Sequence, residues 1–202
     1  MCGRYYVPEQ DFNWILEHAV RSLEDRCKPV KRGEVSPGDA AAVVANDPAM
    51  RPSVFSMNWG YRLGDGTLVF NARSETARDK KLFSDGMRQR RCLIPAWRYF
   101  EWEHVGKEKR KYSIAPEGSN GFYLGGIYRM EVSGPAFSVL TRSPVREIEF
   151  IHDRMPVIIP EELTGDWLNP KYNAAEIVRS VELPMYFAPA EAQEHGAEQG
   201  EK

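Results

Sequence analysis

Cysteine is scarce in this chain. The 202 residues hold three, Cys2, Cys27 and Cys92, an odd number at wide spacing, which excludes a disulfide framework. Neither CxxC nor HxxxH occurs and there are only four histidines, so no zinc pattern is present and no metal or cofactor is expected. No apolar run approaches the ~18 residues of a membrane span. The N-terminus lacks the apolar core of a signal peptide, so a cytoplasmic protein without membrane attachment is expected. A strong net charge is missing too, since 27 basic residues against 29 acidic ones leave −2. No Gly-rich phosphate loop stands out, because Gly125-Gly126 lies inside an apolar strand pattern, and no internal repeat is visible. With 42% hydrophobic and 28% charged residues, wholesale disorder, collagen and coiled coil are excluded. What remains is a single globular domain, expected over residues 2–189, with a polar tail at 190–202 too poor in apolar residues to order.

The charge that is present is uneven. Residues 73–112 hold 12 Lys and Arg against 6 Asp and Glu, while the segments on either side are mildly acidic. Such a block is either a polyanion footprint or a solvated basic hairpin. Pro8, Glu9 and Asp11 read as a helix start. Phe12, Ile15, Leu16, Ala19 and Leu23 then share one helical face ending near Arg26. Short strand-like runs follow at Ala41–Ala45, Val54–Met57, Leu68–Phe70, Cys92–Ile94, Tyr99–Trp102, Tyr112–Ile114, Phe122–Tyr128 and Phe137–Thr141. Asp65-Gly66 and Glu103–Lys111 suit hairpin connections, Glu161–Leu168 and Ala174–Val181 suit short helices, and Leu183–Phe187 suits a closing strand. Many short strands with few helices predict an α+β fold around a strongly bent antiparallel sheet.

Five places can carry chemistry. If Met1 is removed, Cys2 presents a free α-amine beside its thiol, with ordinary pKa values of about 7.7–8.0 and 8.5. Such a pair condenses with an aldehyde and closes to a thiazolidine, and it can also attack amides with its own amine as base. The bland reading is an accident of position two. Asn71 and Arg73, at the end of an apolar strand, would share a face and suit a phosphate or sugar; Ser74 alternatively starts a helix there. Glu101 would share a face with Trp97 and Tyr99, a setting for a raised carboxyl pKa and proton transfer, or for a structural pair with arginine. His152, in Ile151-His152-Asp153-Arg154-Met155-Pro156, is an acid/base candidate or a turn residue bonded to backbone. Trp59, beside Gly60, is a base-stacking platform or a core anchor.

Taken in order, Met1-Cys2-Gly3-Arg4, Ser36-Pro37-Gly38, Trp59-Gly60, Asn71-Ala72-Arg73-Ser74-Glu75-Thr76, Phe100-Glu101-Trp102 and Ile151-His152-Asp153-Arg154-Met155-Pro156 resemble the SRAP family, the SOS response-associated peptidase domain, from Cys2 to about Pro189. The resemblance implies a single α+β domain with a curved, barrel-like antiparallel sheet and a few short helices. It implies a protein acting in the DNA damage response as a monomer, in the cytoplasm and on the nucleoid when bound, its partner being single-stranded DNA that contains abasic sites. Capture of the lesion would be covalent, through Cys2 after loss of Met1. Asn71 would sit against the sugar, Glu101 would move protons, and His152 would assist ring opening. Arg4, Trp59, Arg73 and Arg154 would bind DNA. The resemblance leaves two alternatives, a cysteine peptidase using the same Cys2, Glu101 and His152, or a non-covalent single-strand binder; strand cleavage by β-elimination from an imine is a further activity it allows. The stretch Tyr61–Phe70 is shorter than the family pattern. While Met1 stays in place the nitrogen of Cys2 is an amide and no thiazolidine can close.

Overall fold

The structure, a computed structural model, describes residues 2–8 and 30–190. Beyond Pro8, the helix expected up to Arg26, together with Cys27 and the tail after residue 190, lies outside the described residues. Fifteen strands are described: β1 (Arg4–Val7), β2 (Gly33–Val35), β3 (Ala40–Asn46), β4 (Pro52–Trp59), β5 (Tyr61–Arg62), β6 (Leu68–Val69), β7 (Asn71–Arg73), β8 (Arg91–Ala96), β9 (Arg98–Val105), β10 (Glu108–Pro116), β11 (Phe122–Glu131), β12 (Gly134–Arg142), β13 (Met155–Pro156), β14 (Ile158–Ile159) and β15 (Met185–Pro189). The helices are short: α1 (Ser74–Ala77), α2 (Ser84–Gln89), α3 (Thr164–Leu168) and α4 (Ala174–Ser180). None of the described helices is long and apolar enough to cross a membrane.

Five strands close on themselves. β12 pairs with β4, β4 with β3, β3 with β8, β8 with β11, and β11 returns to β12. The expected bent sheet is thus a closed barrel, although the ring is not wholly antiparallel. β12 runs parallel to β4 (Phe137 beside Trp59) and to β7 (Val139 beside Asn71). Local alternation fixes which face a residue takes but carries no sign of strand direction, so these parallel pairs were out of reach of periodicity.

Both faces of the barrel wall are buried, and the alternation along each strand sorts residues between two cores. Ala41, Val43, Ala45, Cys92, Ile94, Leu124, Phe137 and Val139 face one. Ala42, Val44, Leu93, Tyr123, Ile127 and Leu140 face the other, where α2, α3 and α4 cover them with Met87, Trp167 and Val178. Such double burial explains why these runs read as near-continuous apolar stretches. Gly126 is required by close approach, because a Cβ there would lie 2.4 Å from Cδ1 of Ile94 and 3.2 Å from the Ser138 carbonyl oxygen. Gly60, at φ +113° between β4 and β5, adopts backbone that other residues rarely tolerate.

At the bend of Trp97 the chain leaves β8 and enters a second sheet, ordered β15, β10, β9, β1, β2. Trp97 N–H donates to the Tyr6 carbonyl at 2.9 Å, tying the two sheets at that corner. The hairpin expected at Glu103–Lys111 is tighter than its composition suggests, since β9 and β10 pair out to Val105 and Glu108. Leu68–Phe70 splits, with β6 ending at Val69 and Asn71 opening β7. The region Glu161–Leu168 forms a 3₁₀ turn followed by α3.

Candidate active site

β1 is an interior strand of the second sheet, held by β2 on one side and β9 on the other. Tyr5 pairs with Tyr99 and Arg4 with Phe100. Continuing that register carries the chain before Arg4 alongside Glu101. Cys2, at this end of the strand, is fully buried, and its Sγ lies 3.9 Å from the Arg4 carbonyl oxygen. Asn71, from β7 of the barrel, donates from Nδ2 to the Cys2 carbonyl at 2.8 Å. The fold thus brings Asn71 and Cys2 into direct contact across 69 residues of chain. Oδ1 of Asn71 is buried and has no partner among the described residues.

Glu101 is 3% exposed. Burial pushes its carboxyl up to about 7, and the nearby charge of Asp153 pushes the same way. The Cys2 thiol is raised well above its ordinary value, first by burial and then by the charge of Glu101. The two groups are thus electrostatically coupled, and the thiol is neutral at ordinary pH. Tyr5 and Tyr99 are also fully buried, with hydroxyls that have no partner among the described residues.

His152 is partly buried, and that burial lowers its pKa. Its Nδ1 lies 3.0 Å from the Arg154 backbone N–H, which requires an unprotonated nitrogen, and 2.7 Å from Oδ1 of Asp153, which requires a proton. A lowered pKa favours the neutral ring, which carries its one proton on either Nδ1 or Nε2. The ring is thus held in a turn by the Arg154 backbone N–H, with Asp153 beside it.

The four residues expected to touch DNA are placed very differently. Arg73 is exposed and, among the described residues, has no carboxylate partner. Arg4 is exposed but paired with Glu34, which Lys111 also reaches at 2.6 Å. Burial works against ionisation of Glu34, yet hydrogen bonds from Lys111 and Arg4 hold its carboxyl below the usual range. Two cations on one carboxylate leave a net positive charge at this edge. Arg154 is 12% exposed and already occupied: both its terminal nitrogens meet Glu75, at 2.9 and 2.8 Å, and one donates to the Thr141 carbonyl at 2.7 Å.

Trp59 requires a correction. Its indole is fully buried among Tyr5, Phe70 and Phe137, stacked on the last at 6.1 Å, so no face is open to a base. Nε1 donates to the Phe70 carbonyl at 3.0 Å, immediately before Asn71. The core-anchor alternative is the one the packing shows, and the anchor locates Asn71.

Sequence reasoning missed three features. The Glu75–Arg154 pair joins residues 79 positions apart. The buried hydroxyls of Tyr5 and Tyr99 look like ordinary core aromatics in any pattern. Aromatic rings of Tyr112, Phe150 and Phe187 meet beside the site from three distant segments, the only available signal being the aromatic two places before His152. Among the described residues no three of His, Cys, Asp and Glu form a metal-ligand set.

Comparison with known proteins gives relatives in sequence and in fold. The family described as SOS response associated peptidase (SRAP) matches residues 1–194. The abasic site processing protein YobE of Bacillus subtilis is 35% identical over 125 residues, which is 59% of this chain and 57% of that protein. The abasic site processing protein YoqW of the same organism is 34% identical over 196 residues, covering 91% of this chain and 87% of its own. A solved structure of a Bacteroides thetaiotaomicron protein, 22% identical, superposes with a TM-score of 0.76 over 93% of this chain and 91% of that one, a likeness of fold.

Proposed function

The chain belongs to the SRAP family, and from that premise we propose that it processes abasic sites, capturing them in single-stranded DNA by a covalent bond to Cys2. The observation that carries the reading is a buried carboxyl, Glu101, with a pKa of about 7, coupled to the Cys2 thiol on a strand end clamped by Asn71.

Hydrolysis of the Met1–Cys2 peptide frees the amine of Cys2. An abasic sugar opens to an aldehyde, with His152 moving a proton between the ring oxygen and the anomeric hydroxyl. The amine adds to the carbonyl carbon, and Glu101, half protonated near neutrality, protonates the hydroxyl that leaves as water. The resulting imine takes the sulfur, whose proton passes to a carboxylate base, and the thiazolidine closes. One water is released overall and no oxidant is needed. A neutral thiol suits the last step, because the base that accepts its proton is the acid that has just donated one. Arg73, the exposed cation on β7 beside Asn71, serves a flanking phosphate. The protein acts as a monomer in this scheme.

Intact mass, taken before and after mixing with an abasic oligonucleotide, tests the scheme. Purified protein is expected to lack Met1 and to gain the mass of the strand minus one water. Cys2→Ala should abolish the gain and Cys92→Ala should leave it. Adducts that survive Cys2→Ala would defeat covalent capture through this residue, and tight binding without any adduct would reduce the protein to a non-covalent binder. Cleavage of added peptides would support the peptidase reading named by the family.

A further inference from the structure

Tyr112, Phe150 and Phe187 form an aromatic cluster for which the capture chemistry has no use. The Phe150 ring meets Tyr112 edge-on, with centroids 5.8 Å apart at 89°, and meets Phe187 at 5.3 Å and 67°. Tyr112 and Phe187 are 6.1 Å apart. The cluster sits against the site on two sides. Tyr112 stands directly opposite Glu101 in the β9–β10 ladder, so the two side chains share one face of the sheet. Phe150 lies two residues before His152 on the segment that delivers the imidazole. Its neighbours on that segment are inside, Ile148 at 3% and Ile151 at 4% exposure, while Phe150 is 50% exposed. A ring held edge-on by two others and open on its remaining surface is a rigid apolar face at the border of the site.

We propose that Phe150, braced by Tyr112 and Phe187, is the stacking platform for the base of the nucleotide next to the abasic sugar. The inference rests on the reading of the site as an abasic-site trap and adds where the neighbouring nucleotide goes. A missing base leaves the adjacent base with one face unstacked, and an aromatic ring supplies a replacement for any base, because every base has a π face. Position favours this occupant over a protein partner: the cluster is continuous with Glu101 and His152, so a strand whose lesion lies at Cys2 passes over it. The exposed cation of Arg73 and the net positive Arg4–Glu34–Lys111 edge favour a polyanion as well.

The test uses two single strands carrying a tetrahydrofuran abasic analogue, which has no aldehyde and cannot be captured. One has 2-aminopurine immediately 5′ of the analogue and the other immediately 3′. Wild-type protein should quench the fluorescence of at least one strand. Phe150→Ala should lose that quenching and bind about 5- to 100-fold more weakly. Phe150→Leu keeps apolar contact with Tyr112 and Phe187 but has no π face, so it should fail like Phe150→Ala, whereas Phe150→Trp should bind at least as well as wild type. Equal affinity and quenching for wild type, Ala and Leu variants, in a protein that does capture abasic DNA, overturns the platform alone. Full rescue by Leu overturns it too, in favour of packing. A wild-type protein that forms no adduct removes the trap and the platform together, and a dimer in solution that Phe150→Ala dissociates reassigns the cluster to self-association.

Discussion

On the outer wall of the barrel, Arg91 is 4% exposed and its guanidinium donates to two carbonyls, those of Tyr172 at 3.0 Å and of Asn169 just after α3. Arg142 donates to the Val178 and Val181 carbonyls at the end of α4, at 2.9 and 2.6 Å. Both cations close helix C-termini, where unpaired carbonyls and the helix dipole favour positive charge. On the inner side, at the end of β1, the polar groups are treated in the opposite way. The hydroxyls of Tyr5 and Tyr99 and Oδ1 of Asn71 are buried without a partner among the described residues, and Glu101 holds its proton up to about 7. Each unsatisfied buried group costs about 1–3 kcal/mol. Single unsatisfied atoms also occur elsewhere, at Ser119, Ser138 and Arg154, but only at the end of β1 do several, those of Tyr5, Tyr99 and Asn71, gather beside Cys2 among the described residues, which is the arrangement a ligand with its own donors and acceptors would complete. A groove of about 1070 Å³ beside Arg91 and Arg142 is open to solvent, yet these two cations are already committed to carbonyls.

The largest effect expected from this contrast lies on the wall. Arg91→Leu removes two charge-assisted hydrogen bonds and leaves the Tyr172 and Asn169 carbonyls without them, which should cost about 3–5 kcal/mol in urea denaturation. The adduct yield of the protein that remains folded should not change. A loss of capture without loss of stability would erase the division between the two regions.

Next comes Glu101, where the sign reverses. Its carboxyl has a folded pKa of about 7 against an ordinary 4.5, so the folded chain keeps a proton that the unfolded chain has released. The protonated acid's contribution to stability is fully present below 4.5 and is lost as pH rises through 7. Glu101→Gln, neutral at every pH, should be insensitive over this window. Above it the variant should be more stable than wild type by on the order of 3 kcal/mol, while capturing abasic DNA far more slowly. Urea curves at the two ends of the window check both halves. A wild-type stability as flat as that of Glu101→Gln would deny that burial has raised this carboxyl.

How much of this was legible in the sequence follows from how far each signal reaches. The pattern of short apolar runs located all five barrel strands, because a wall buried on both faces leaves near-continuous apolar stretches. It was silent on closure, which depends on β12 running parallel to β4. Cys2, Asn71, Glu101 and His152 were legible as residue types in short motifs, and Asn71 does meet Cys2. Their supports were not. Glu75 reaches Arg154 through the fold, Phe150 meets rings from β10 and β15, and the Trp59 indole is turned inward by packing that no local pattern encodes. Short-range chemistry is written in adjacent letters, whereas brackets and platforms are made by contacts dozens of residues apart.

The smallest predicted effect is the sharpest test of the comparison, because its sign is unusual. Tyr99→Phe deletes one oxygen from a fully buried ring whose hydroxyl finds no partner among the described residues. In a satisfied region such a change destabilises; here it should stabilise by about 1 kcal/mol, since the unfolded chain gives up a hydrated hydroxyl while the folded protein gives up nothing. Burial, the charge of Cys2 and that of Glu101 already hold this phenol well above its ordinary pKa, so no ionisation is lost with it. If the hydroxyl is reserved for the sugar, the same variant should bind the tetrahydrofuran analogue more weakly even as its melting temperature rises. Stability and affinity moving in opposite directions would mark the end of β1 as built for a ligand. A fall in both would mean that Tyr99 has a partner in the folded state, and the two regions would then differ in location only.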